Sequence, residues 1–120
     1  MSRHSYSDML TAVQDFNHRH DFKSNGGEDL VYRVALMAEE LGEISACVTK
    51  GRSRIELGEE CADLLFLLLG TAIAGDFDLE DHFWLKMEKL MGRTSRMIDG
   101  RIRVSGAWDA DGDAQGEDGD

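Results

Sequence analysis

The sequence predicts an all-α fold of four helices, completed by oligomerisation, and three observations carry that prediction. Alanine, leucine, methionine and glutamate are plentiful and proline is absent, a composition of strong helix formers without the obligate breaker. Most glycines fall between or after stretches of helical periodicity, where they act as stops. Residues 64–69, LLFLLL, are apolar on every side of a helix. In so short a chain, that pattern implies burial on two sides and hence an interface with a second copy.

The elements follow in order. Residues 6–20, YSDMLTAVQDFNHRH, place Met9, Ala12, Val13 and Phe16 at helical spacing, with Ser5 or Ser7 as N-cap. A polar loop, DFKSNGGED, breaks at Asn25-Gly26-Gly27. Glu28 and Asp29 then open a second helix, where acids suit the positive helix end. It runs through LVYRVALMAEELGEISACVTK and stops at Gly51. A third helix is expected from near Ser53 to about Ala74, and Gly75-Asp76-Phe77-Asp78 forms the next turn. Asp78 would cap a fourth helix, LEDHFWLKMEKLMGRTSRMI, with an apolar stripe of Phe83, Met87, Leu90 and Met97. Beside it runs a basic stripe of Lys86, Lys89, Arg93 and Arg96. An antiparallel pairing of the third and fourth helices would set Arg93 level with Glu60. After Gly100, GRIRVSG suits a short extended segment. AWDADGDAQGEDGD carries six acids and no base, a composition expected to be disordered. The expected division is a helical domain over 1–99 and an acidic tail over 100–120. The DADGD within that tail lacks the flanking helices and the closing glutamate of a calcium loop.

Composition excludes several functions. The formal net charge of −11 and the lack of an extended basic patch argue against a nucleic-acid partner. The longest uncharged run, residues 64–75, is too short to span a membrane. The N-terminus has no apolar signal core, so a cytoplasmic protein is expected. Cys47 and Cys61 are the only cysteines. With no metal-binding spacing and no facing positions, they read as free, buried thiols in a reducing compartment.

The chemistry concentrates in residues 37–69, MAEELGEISACVTKGRSRIELGEECADLLFLLL. Glu39, Glu40 and Glu43 share one face of the second helix; Glu56, Glu60 and Asp63 share a narrower arc of the third. Folding the pair antiparallel about Lys50-Gly51-Arg52 sets Glu43 opposite Glu60 and Glu40 opposite Asp63. Four carboxylates held that close repel one another strongly. A hard divalent cation among them is the natural remedy. A merely solvated acidic face fits less well. Leu36 and Leu67 carry the same stripes into apolar sequence, and few cations sit at i+3 or i+4 to offset the acids.

These residues resemble the all-α nucleoside triphosphate pyrophosphohydrolase superfamily, most closely its MazG-like branch. That group carries EExxE, a spacer, then ExxD. The counterpart here is Glu39-Glu40-Leu41-Gly42-Glu43, a spacer of sixteen, then Glu60-Cys61-Ala62-Asp63. FNHRHDF near the end of the first helix is similar to an F…R-D-aromatic stretch of the family. The resemblance implies a MazG-like four-helix bundle. It also implies magnesium-dependent hydrolysis of nucleoside triphosphates, in particular deoxynucleoside triphosphates, between the α and β phosphates, with manganese as a substitute metal. By the same resemblance Glu40, Glu43, Glu60 and Asp63 would be metal ligands. Glu39 would be a further ligand or the base that orients water. Lys86, Lys89 and Arg93 would hold the outer phosphates, and Phe16 and Trp84 are candidates for stacking on the base.

Three other readings compete. EECADLLFLLLGTAIAGDFDLEDHF resembles a region of phosphoribosyl-ATP pyrophosphohydrolases of histidine biosynthesis. However, Leu67 stands where that group has a histidine, and VALMAEE lacks its lysine. A di-iron carboxylate bundle would need Glu-x-x-His pairs, and none of the four histidines supplies one. A helical oligomer with an acidic interaction tail would be indifferent to loss of Glu40 or Asp63.

Overall fold

Helix α1 spans Tyr6–Arg19, α2 Leu30–Thr49, α3 Arg54–Gly75 and α4 Leu79–Met91; strands β1, Thr94–Ile98, and β2, Arg101–Ser105, follow. The structure is a computed structural model and describes residues 4–105. The chain divides into two compact units, one ending at Asp78 and the other beginning at Leu79.

In the first unit each helix begins on a side-chain cap. Ser5 Oγ accepts the Asp8 N–H at 3.1 Å, and the Asp8 carboxylate accepts the Ser5 N–H at 3.0 Å. Ser53 and Glu56 repeat this reciprocal box at the start of α3, while Asp29 accepts from Tyr32 N–H to start α2. Each such cap is worth about 1 kcal/mol. The α2–α3 turn closes where Gly51 enters the left-handed region at φ +63, and Arg52 N–H donates to the Cys47 carbonyl at 2.9 Å. A side chain at Gly51 would be strained there. At the other end of α3, Asp76 takes φ +57 and Phe77 N–H donates to the Ala72 carbonyl.

The turn folds α2 back along α3, and α1 packs across the C-terminal half of α3. Phe16 of α1 meets Phe66 of α3 edge-on, ring centroids 5.0 Å apart. Val13, Cys47, Leu69 and Ala72 are the buried apolar side chains among the described residues, and Asn17 and Arg33 are buried with them. Cys61, by contrast, is exposed. The expectation of two buried thiols therefore holds for Cys47 alone, Cys61 lying on the solvent-exposed surface of α3. Both cysteines are free. Among the described residues no helix is long and apolar enough to cross a membrane.

The second unit departs from expectation. The fourth helix was expected to reach residue 98 but ends at Met91, and residues 94–105 form an antiparallel hairpin. Gly92 weakens the helix, and Asp99 and Gly100, at φ +53 and +80, make a two-residue turn with both central residues left-handed. That turn matches the twist of paired strands and fixes Ile98 opposite Arg101 and Thr94 opposite Ser105. The expected basic stripe is consequently dispersed. Lys86 and Lys89 lie on α4, Arg93 beyond its end and Arg96 on β1, so the four cations do not form one helical stripe. Of the segment expected as an acidic tail, 101–105 form β2; residues 106–120, with the DADGD stretch, lie outside the described residues.

Candidate metal centre

Glu60 and Asp63 are three residues apart on α3, so they share a face; Glu40 meets them from α2. Each offers a carboxylate oxygen, and the three oxygens lie within 4.8 Å of one another. Glu40 and Glu60 are half-buried and Asp63 is exposed. The crowding is felt most by Glu40, whose carboxyl is pushed up to about 7. The hydrogen bond to Glu60 is the first cause, followed by desolvation and then the charges of Asp63, Glu60 and Glu43. Near neutral pH the group therefore holds a proton for much of the time. Such a cluster is short of positive charge, and its donors are all hard oxygens at a spacing that small closures of the side chains would bring onto one ion. Such oxygens fit a hard divalent cation, which takes carboxylate ligands and retains waters.

The other expected site residues stand differently. Glu43 lies one turn further along α2, exposed, with Oε1 4.0 Å from Arg52 Nη1. It adds to the field on Glu40 but is outside the group of three. Arg52, in the turn itself, is a counter-charge nine residues from Glu43 and so outside the i+3 and i+4 positions. Glu39 is exposed on α2 and also outside the group. Phe16 packs edge-on against Phe22 as well as Phe66, with centroids 5.6 and 5.0 Å away. Trp84 on α4 is exposed and lies edge-on to Phe83 at 5.0 Å. Lys86 is half-buried and Lys89 exposed, both on α4 and both in the second unit with Trp84 and Arg93. A cleft of about 380 Å³ beside α1, lined in part by Asn17, His18, Phe22, Lys23 and Glu28, includes none of the three carboxylates.

Arg33 was missed by the sequence reading. It is 2% exposed and donates three hydrogen bonds of 3.0 Å: Nε to Thr71 Oγ1, Nη1 to the Gly27 carbonyl and Nη2 to the Leu67 carbonyl. The one local hint was a lone cation in the otherwise apolar run LVYRVALM, two turns before Glu40 on the same face.

A helical hairpin that turns carboxylates from both arms toward one point defines an all-α protein with an acidic cluster between its helices that could bind a metal ion. The chain matches the family model of the MazG nucleotide pyrophosphohydrolase domain over residues 32–98, and it belongs to that family. The family is divalent-metal dependent, acts on nucleoside triphosphates and is typically oligomeric. The match takes in nearly all of α2, then α3, α4 and β1. It starts at Tyr32, so the FNHRHDF likeness falls outside it. Neither the curated proteins nor the solved structures contain a match to the chain.

Proposed function

We propose that this protein hydrolyses nucleoside triphosphates, deoxynucleoside triphosphates above all, between the α and β phosphates in a magnesium-dependent reaction. Water supplies the oxygen to one phosphorus as the bridging P–O bond breaks, giving nucleoside monophosphate, pyrophosphate and a proton. The purpose would be nucleotide pool control or removal of unwanted nucleotides. The observation that carries this reading is the convergence of Glu40, Glu60 and Asp63 within 4.8 Å in a chain of this family.

Glu40, Glu60 and Asp63 would hold magnesium, or manganese in its place, with Glu43 joining from the rim. When bound, the ion would neutralise phosphate oxygens and lower the pKa of water. Glu39, one residue from Glu40, would orient or deprotonate the attacking water, or serve as a further ligand. Lys86, Lys89 and Arg93 are the cations we assign to the outer phosphates. Phe16 and Trp84 are the aromatic surfaces we assign to the base. Phe16 already spends its edge contacts on Phe22 and Phe66, which leaves Trp84 the freer of the two.

Self-association is part of the proposal. Val34, Leu41 and Val48 recur every seven residues on α2, with Val31 one turn before, and all four are exposed; Ile55 and Leu65 are exposed on α3. Such a seam suits a second copy of the hairpin. The free state of both cysteines fits the cytoplasm as the setting.

Product analysis with a panel of ribo- and deoxyribonucleoside triphosphates tests the reaction, using magnesium, chelator and Asp63→Asn. Monophosphate plus pyrophosphate, lost with chelator and at least a hundredfold reduced in the variant, is the expected result. Diphosphate plus phosphate would refute the bond assignment. Turnover of phosphoribosyl-ATP alone would favour the histidine-biosynthetic reading. No turnover of any of these would favour the helical oligomer with an interaction tail.

A further inference from the structure

We infer that Arg33 is a positioning residue, whose guanidinium fixes the axial register of α2 against α3 and so holds Glu40 level with Glu60 and Asp63. This rests on the metal-site reading above. Seven residues separate Arg33 from Glu40 on α2, and seven separate Glu60 from Leu67 on α3. The arginine clamp and the carboxylate group are therefore two rungs of one ladder, each about two helical turns, or ~10 Å, from the other.

The clamp is built at a cost. Burying a guanidinium against three uncharged oxygens, Thr71 Oγ1 and the carbonyls of Gly27 and Leu67, forfeits hydration that a leucine would not need. A glycine is also kept in mid-helix at position 70, a choice that destabilises by roughly 1 kcal/mol relative to alanine. The reason for that glycine is local: a Cβ at Gly70 would collide with Arg33 Nη2. Apolar side chains could join these helices more cheaply, but they tolerate sliding. Directional hydrogen bonds to one carbonyl and one hydroxyl on α3 do not. The distinction matters at the carboxylates, because a one-residue slip moves a helix by ~1.5 Å and magnesium demands oxygens at about 2.0–2.1 Å in near-ideal octahedral geometry. Gly27 adds a second tie, bringing the end of the α1–α2 loop onto the same guanidinium.

The test uses full-length wild type, Arg33→Met, Arg33→Lys and Gly70→Ala, the last leaving the arginine in place but denying it room. Manganese affinity is measured by calorimetry at 10 °C on samples that circular dichroism shows to be helical. Metal-free crystal structures give the carboxylate separations. The expected result is at least tenfold weaker manganese binding in Arg33→Met and Gly70→Ala, with Arg33→Lys between, and the three carboxylates no longer within 4.8 Å. A role in stability alone would lower the melting temperature and leave both readouts unmoved. Affinities within twofold of wild type, with the carboxylates still together, would overturn the inference. Should Arg33→Met fail to fold, Gly70→Ala decides the matter by the same two criteria. If wild type binds no manganese, the cation reading fails, while separation of the carboxylates in the variants would still uphold the register role.

Discussion

Glu40→Gln should make the metal-free protein more stable and the magnesium-loaded protein relatively less so. The Glu40 carboxyl is raised from 4.5 to about 7 in the folded chain. Between those values the native state holds a proton that the unfolded chain has released, so stability falls as pH rises through that window and is lowest above it. Each tenfold change in proton affinity is worth ~1.36 kcal/mol, so the full change sets a ceiling of about 3 kcal/mol. Glu40 is only half-buried, and solvent screening reduces this to roughly 1–2 kcal/mol. Glutamine keeps the shape and the hydrogen bond to Glu60 without the charge. The melting temperatures of variant and wild type, both in chelator, should coincide near pH 4.5 and diverge by about 4–8 °C at pH 8, with the variant higher. Magnesium at a hundred times its dissociation constant should then stabilise wild type by about 2.7 kcal/mol and the variant scarcely at all, so that the order reverses. Differential scanning calorimetry at the two pH values, with and without magnesium, reads all of this. A variant no more stable than wild type at pH 8 in chelator would refute the reasoning that these carboxylates repel one another. An equal magnesium effect on both would refute Glu40 as a ligand.

Two further outcomes concern local structure. With a thiol reagent, Cys61 should react within seconds and Cys47 only on unfolding, since Cys47 is 3% exposed; a count of two fast thiols would contradict the packing of α2. Replacing Gly100 by alanine, at φ +80, should cost the hairpin about 1 kcal/mol. Hydrogen exchange at the β1–β2 ladder amides, several-fold faster in the variant, would report it; unchanged protection would argue against the left-handed turn.

The first three helices were legible because their signals are local. Ser5 with Asp8, Asp29, Ser53 with Glu56 and Gly51 each mark a boundary within a few residues of chain. The carboxylate centre was legible for a related reason: a single short turn sets one antiparallel register, and that register brings Glu40 to Asp63. Glu43 stays outside the group of three, with Arg52 in the turn offering it a cation. The hairpin was also written in the chain, as Asp99-Gly100 between segments that carry Thr94, Ile98, Ile102 and Val104, but the helical spacing of Phe83, Met87 and Leu90 continues past Gly92 to Met97. Arg33 was not legible in advance. Its role depends on a gap at Gly70 and on carbonyls at Gly27 and Leu67, which exist as partners only once three segments have met.

The modest interior of the first unit has a consequence for how the protein behaves in use. Val13, Cys47, Leu69 and Ala72 are small or medium side chains, while Val31, Val34, Leu41, Val48 and Ile55 face outward. If those outward residues are sheltered by a second copy, folding free energy becomes a property of the solution as well as of the chain. Dilution would then act as a denaturant. Specific activity per chain would be constant at high concentration and would decline below the association midpoint, with substrate and cation shifting that midpoint downward if they bind the assembled form more tightly. An assay run at trace enzyme would measure assembly as much as chemistry.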